Sequence, residues 1–262
     1  MTRSRTIGLA LVVIVAVGVG AYLAYDNVLR GDAAAPLALP SASAAAEAPT
    51  EATSDPAIPS TPAETETSTD PTAAADPRGD GEVAGTWTLV EGSQAGYRVR
   101  EQLANLPAES DAIGRTSDVS GSITVVAAGD AAQLTEGSIT VDTTTIASDE
   151  SRRDNRMRTE GLQTDQFPNA TFTITAPVDI PASALEGTPT DVTLVGDLTL
   201  HGVTQPVEIP AQAQLVDGQI QVAGALTFSL ADYDIVAPNV GGFIISIADE
   251  GTLEFVAIFA KG

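Results

Sequence analysis

The chain has 262 residues with 12 Lys and Arg against 35 Asp and Glu, no Cys and one His, for a formal net charge of −23. So acidic a chain is repelled by phosphate backbones and carries no basic, aromatic-interleaved patch, which excludes nucleic acid as a partner. The absence of Cys removes disulfides, thiolate nucleophiles, Cys-ligated metals and Cys-linked lipid anchors, and the single His removes multi-histidine metal sites.

Mean hydropathy is nonetheless slightly positive, so acidic and apolar residues are segregated along the chain. Residues 1–30 carry three Arg and one Asp, residues 31–82 ten acids and one Arg, and residues 83–262 twenty-four acids and eight bases. From Ile7 to Tyr25 a run of 19 residues is uncharged. As a helix it is about 28 Å long, close to the roughly 30 Å hydrocarbon core of a bilayer. Arg3 and Arg5 precede it, so the positive-inside bias puts the N-terminus in the cytoplasm, and Tyr22 and Tyr25 sit where an interfacial belt forms. Residues 1–30 therefore read as a single transmembrane anchor. A cleaved secretory signal is the alternative, with Ala33, Ala34 and Ala35 as small residues for trimming. Its apolar region is usually only about 7–15 residues, which favours the anchor. On either reading the rest of the chain lies outside the cytoplasm: a single-pass membrane protein, or a secreted one after cleavage.

Residues 31–82 are Ala, Pro, Thr, Ser, Glu and Asp with no aromatic residue. Such a segment cannot bury enough apolar surface to offset its ordering entropy, so it reads as a disordered tether. As a flexible coil its length spans on the order of 40 Å, and proline and charge repulsion extend it further.

From residue 83 onward short β-rich runs alternate with Gly, Asp, Pro and Asn. Strands are predicted at 86–90, 96–103, 121–127, 137–142, 170–175, 190–200, 207–209, 211–216, 219–229, 242–248 and 252–260. Apolar and polar residues alternate along 138–142, 171–175 and 198–200, the pattern of antiparallel strands with one solvated face. Val216-Asp217-Gly218-Gln219 and Ala248-Asp249-Glu250-Gly251 are predicted hairpin turns. About 180 residues of this texture predict a barrel or sandwich. One helix is expected after Ser148 as N-cap, with acids Asp149 and Glu150 first, Arg152, Arg153, Arg156 and Arg158 following, and Gly161 ending it.

Two features could carry chemistry. His201 stands at a strand end beside Gly202; catalysis there needs a partner within hydrogen-bond reach, and Asp197, four residues along the strand, is about 13 Å away. A turn-stabilising role is expected instead. The arginine cluster could grip an anionic head group through forked hydrogen bonds, chiefly from Arg153 and Arg156; the competing reading is dipole complementation and ion pairing with neighbouring acids.

Three stretches resemble the YceI-like family. They are Gly137–Ile146, the Arg153-Asp154-Asn155-Arg156-Met157-Arg158 run leading to Phe167-Pro168-Asn169-Ala170-Thr171-Phe172, and Val195–Val207 with its Gly196-Asp197-Leu198-Thr199-Leu200-His201-Gly202-Val203-Thr204 core. With Trp87, Ser93 and the terminal strands the resemblance covers roughly residues 85–261. The chain departs from the family pattern at Arg156, where a His is common, and at Leu230-Ala231-Asp232-Tyr233-Asp234-Ile235, where the family carries an Arg and a Gly.

The resemblance implies an all-β domain over residues 83–262: a lipocalin-like, eight-stranded antiparallel barrel with one short helix, enclosing a polyisoprenoid or similar long-chain lipid outside the cytoplasm. The apolar lining is then expected from Tyr97 and Val99, Ile139 and Val141, Phe172 and Ile174, Leu198 and Leu200, Leu226 and Phe228, and Phe243 and Ile245. No catalytic residue, metal or cofactor is expected, so the protein reads as a carrier or buffer and not as an enzyme. The rival is a ligand-free barrel with a filled core that holds a protein partner; a barrel of this size can be filled or can hold one small ligand, and aromatic residues at 4% favour room inside.

Overall fold

The computed structural model describes residues 34–40, 83–103, 109–237 and 244–262, with the backbone alone for Leu103, Ile244 and Ile245. The predicted span at 7–25 and most of the 31–82 tether lie outside the described residues. Among those described, no helix is long and apolar enough to cross a membrane.

The strands are β1 (Gly85–Leu89), β2 (Gln94–Leu103), β3 (Glu109–Thr116), β4 (Val119–Ala128), β5 (Ala131–Asp142), β6 (Asn169–Ile174), β7 (Val178–Ile180), β8 (Thr190–Leu200), β9 (Val203–Val216), β10 (Gln219–Ser229) and β11 (Ile244–Lys261). All pair antiparallel, and the ring β1-β4-β5-β6-β8-β9-β10-β11 closes through the β1–β11 ladder. The result is an eight-stranded closed barrel. Three of its staves are broken: β1 and β2 both run along β11, β4 and β3 both run along that composite stave, and β6 and β7 both run along β5. The first break is held by Ser93, whose hydroxyl donates to the Val90 carbonyl at 2.8 Å and accepts from the Ile258 N–H at 3.0 Å.

The 190–200 and 219–229 strands lie where predicted, and Val216 pairs with Gln219 across the expected two-residue turn. Asp217 and Gly218 there have φ of 52° and 71°, the left-handed pair a type I′ turn requires. Three expectations are corrected. The 248–251 segment does not reverse the chain: β11 runs unbroken through it, and the extra residues are absorbed as a bulge against β2 between the pairs Ile247–Glu101 and Gly251–Val99. The strands read at 207–209 and 211–216 are one strand, β9. Its prolines 206 and 210 pair only with β8, because the β9–β10 ladder begins at Ala211, so a missing N–H on the other edge costs no bond. Strand β3 was not predicted at all.

The helix also starts later than expected. Helix α1 (Ser151–Arg156) is capped by Glu150, whose carboxylate accepts the Arg152 N–H, and continues into a π turn over Met157–Gly161. Ser148, the expected cap, instead meets Asp154, whose Oδ1 accepts from the Ser148 backbone N–H at 2.9 Å and its hydroxyl at 2.6 Å. A one-turn helix, α2 (Ala182–Leu185), follows β7.

Among the described residues the interior holds two apolar clusters. The larger lies at the end where the chain enters β1 and contains Trp87, Ile123, Val125, Leu134, Ile180, Ile220 and Phe259. The smaller, at the α1 end, contains Leu162, Leu198, Leu200, Leu230, Tyr233 and Ile235.

Candidate ligand cavity

Between these two clusters lies a cavity of about 150 Å³ that almost no polar surface reaches. Its sides come from inward positions of alternating strands: Tyr97 and Val99 of β2, Ile139 and Val141 of β5, Phe172 of β6, Leu198 and Leu200 of β8, Leu226 and Phe228 of β10. All nine belong to the set that the family resemblance implies, and they share the inward face because a half-buried strand turns every second residue inward. Ile174 is not at the cavity; it packs one step further along β6 against the larger cluster. Phe243 lies outside the described residues, and of Ile245 only the backbone, in β11, is described.

Residues outside the regular strands close the α1 end. Met157 and Leu162 reach the cavity from the π turn, Ile146 from the segment before α1, and Leu230 and Ile235 from the turn after β10. Strand periodicity does not single these out, although apolar residues on a short turn beside a barrel end were the available signal. Gly196, diagonal to Phe172 across the β6–β8 ladder, leaves the ring its space: a Cβ at Gly196 would lie 2.3 Å from the Thr173 carbonyl and 2.7 Å from the Phe172 ring.

The position of α1 is set electrostatically. Arg153 Nη2 donates to Glu101 Oε1 at 2.7 Å, and its other nitrogen pairs with Asp149. Burial pulls the Arg153 pKa down, but Glu101 and Asp149 outweigh it and hold the value above the usual one. Arg158 Nη1 lies 3.4 Å from each of the Thr144 and Ile146 carbonyls, and Arg156 pairs with Glu160 at 3.3 Å. Neither Arg153 nor Arg156 borders the cavity; the ion-pairing reading of the cluster describes what Arg153 does here. Beside it, burial pushes the Tyr97 phenol up to about 12 despite the nearby Arg153 charge.

His201 is buried with φ of 52°, and its Nδ1 lies 3.0 Å from the Tyr233 carbonyl oxygen. It thereby ties the β8–β9 turn to the 230–233 turn, and Phe167 stacks edge-on against its ring at 4.6 Å. Burial and Asp232 raise the Tyr233 phenol above its ordinary pKa.

The sequence of residues 87–259, which spans this barrel, matches the YceI-like domain. The chain belongs to the YceI-like family. Its YceI-like segment is 34% identical to a UPF0312 protein of Shewanella baltica over 133 residues, 47% of this chain and 63% of that protein. It is 35% identical to Protein YceI of Escherichia coli over 75 residues, 28% of this chain and 35% of that protein. The chain thus spans less than two thirds of the length of these relatives. A polyisoprenoid binding domain from Saccharophagus degradans, implicated in plant cell wall breakdown, shares the fold at a TM-score of 0.51 and 20% identity, covering 68% of this chain and 99% of that one. Asp234, in the 230–235 motif, adopts φ of 53°, a left-handed conformation that a short polar side chain tolerates.

Proposed function

We propose that this protein is a membrane-tethered, extracytoplasmic lipid binder whose barrel encloses an isoprenoid or similar long apolar chain, acting as a carrier or buffer and not as an enzyme. The apolar cavity between the two core clusters carries this reading. A cavity with almost no polar surface offers a hydrocarbon chain transfer out of water and offers a polar substrate little. Each five-carbon unit enclosed contributes about 4 kcal/mol gross, so a few units suffice after association and ordering costs.

At about 150 Å³ the cavity has the size of apolar cavities that take a benzene-sized guest, room for one isoprenoid unit. A longer chain enters by pushing lining side chains apart. Met157, unbranched and adaptable, and the Leu230–Ile235 turn stand where that widening is easiest. The β9–β10 ladder supports the same route, because it stops at the Ala211–Gly224 pair and leaves the α1-end halves of these strands without mutual hydrogen bonds. The ligand-free adaptor reading has no use for such a void.

The test is organic extraction of the full-length protein purified from membranes, followed by mass spectrometry and titration with a fluorescent prenol. Co-extracted isoprenoid and saturable prenol binding are expected, and a His201→Ala variant should keep both. Repeated absence of co-extracted lipid together with no prenol binding overturns the proposal.

A further inference from the structure

Residues 34–40, Ala-Ala-Pro-Leu-Ala-Leu-Pro, fall within the stretch whose composition reads as an unstructured tether, yet they lie against the outside of the barrel. Arg98 Nη2 of β2 donates to the Ala34 carbonyl at 2.7 Å, and Arg115 Nη2 of β3 to the Ala35 carbonyl. The Leu37 N–H donates to Glu254 Oε2 of β11 at 3.4 Å, and Gln214 Nε2 of β9 reaches the Pro40 carbonyl at 3.5 Å. Leu37 and Leu39 are half-buried.

The segment covers the wall beneath it. Outward positions elsewhere on the same strands, such as Gln212, Ala225 and Thr227, are exposed, but along the path of the segment Gln214, Gln221, Ala223, Glu254 and Val256 are all buried. Glu254 is only 2% exposed on an outer wall. Its Oε1 is held by Arg115 at 2.7 Å, which crosses over the side-chain-free Gly96 to reach it. The second oxygen, 3.8 Å from Arg98 Nη2, also accepts a peptide N–H, and Arg115 and Arg98 each donate to a carbonyl as well. The slot therefore reads main chain, with apolar side chains laid between. Pro36 and Pro40 favour the extended backbone such a slot accepts and lower the cost of ordering it.

We propose that this outer-wall slot is a docking site for residues 34–40 of the same chain, and that the docked segment works as a clip that sets the reach of the tether. The remaining 41–82 stretch returns the chain to Val83, so docking is intramolecular at an effective concentration on the order of 1 mM, and even a weak site stays substantially filled. Its consequence for reach rests on the proposed anchor at residues 7–25. With the clip docked, residues 26–33 hold the barrel within roughly 30 Å of the anchor; with it released, residues 26–82 can extend to roughly 200 Å.

The chain has no Cys, so Ala38→Cys provides a unique site for a nitroxide on the full-length protein. The amide signals of Gln221, Ala223 and Val256 are expected to lose at least half their intensity. They should recover when Leu37→Asp and Leu39→Asp are added, changes that lie outside the barrel and cannot disturb its folding. Broadening that is uniform over the barrel, or unchanged by the two Asp substitutions, overturns the clip. In nanodiscs, energy transfer from a dye on Asp217→Cys to a lipid-borne acceptor should fall when the clip is broken. Selective broadening with no energy transfer in either form overturns the anchor reading and leaves the clip standing.

Discussion

Glu101 on β2 and Arg153 on α1 meet at 2.7 Å with 3% and 18% of their side chains exposed, and this contact seats the helix on the barrel end. Truncating one partner strands the other charge in a buried place. Glu101→Gln and Arg153→Gln are therefore each expected to destabilise the barrel by about 3 kcal/mol, while the double change recovers a large part of that loss. Urea unfolding of the two singles and the double closes the cycle; a double whose loss equals the sum of the two single losses refutes a coupled pair.

Stability should fall on the alkaline side because of Tyr97. Its folded pKa of about 12 lies above the unfolded value of about 10. Below pH 10 the phenol is neutral in both states and the native state keeps its full stability. Between about pH 10 and 12 only the unfolded chain loses the proton, so this group's share, about 2–3 kcal/mol, disappears over that window. Denaturation midpoints measured against pH should show a shallower alkaline decline in Tyr97→Phe than in the parent.

Cavity volume is the limiting resource for a bound chain. Val141→Phe projects a ring into the space between the clusters and should weaken prenol binding about tenfold, a loss of about 1.4 kcal/mol, while leaving the melting temperature within a few degrees. Fluorescent-prenol titration and thermal unfolding on the same sample separate the two effects; unchanged affinity places the ligand elsewhere.

Two glycines should fail for opposite reasons. Gly218→Ala meets nothing within 4 Å but must hold a left-handed φ, a purely conformational cost of about 1 kcal/mol. Gly196→Ala carries no such strain, yet its Cβ would fall 2.3 Å from a backbone carbonyl and against Phe172. That overpacking should cost about 1–3 kcal/mol and shift the ring, so Gly196→Ala alone is expected to alter prenol affinity as well as stability.

Much of the barrel could be read from alternation. Strands β8 and β10 are long, evenly alternating and bounded by Gly-containing turns, so their limits coincide with the predicted ones. Strand β3, Glu-Ser-Asp-Ala-Ile-Gly-Arg-Thr, hides because charge sits on its outer positions and Gly114 replaces an inner side chain. That gap serves Tyr97, whose ring would lie 2.5 Å from a Cβ there, a requirement visible only across two strands. Asp249-Glu250-Gly251 looks like a turn locally; only the pairing of β11 with β2 on both sides of it makes it a bulge. At the site, strand residues such as Phe172 and Leu198 follow from period-two patterning, whereas Met157 and Ile235 depend on where a turn folds back over the barrel end. The 34–40 contacts were illegible because composition reports what a segment can bury by itself, not what a neighbouring wall can offer it.

The division of the interior into a large and a small cluster means that the two ends of the barrel should not open together. Amides around Trp87 and Phe259 sit in ladders that close the ring, so they exchange with solvent only when the whole domain unfolds. Amides near Leu230 and Leu162 belong to turns and a half-laddered seam, and exchange by local opening at a smaller free energy. A rigid base and a separately melting rim are thus expected, and a guest that fills the space between them should slow exchange at the rim while leaving the base unchanged.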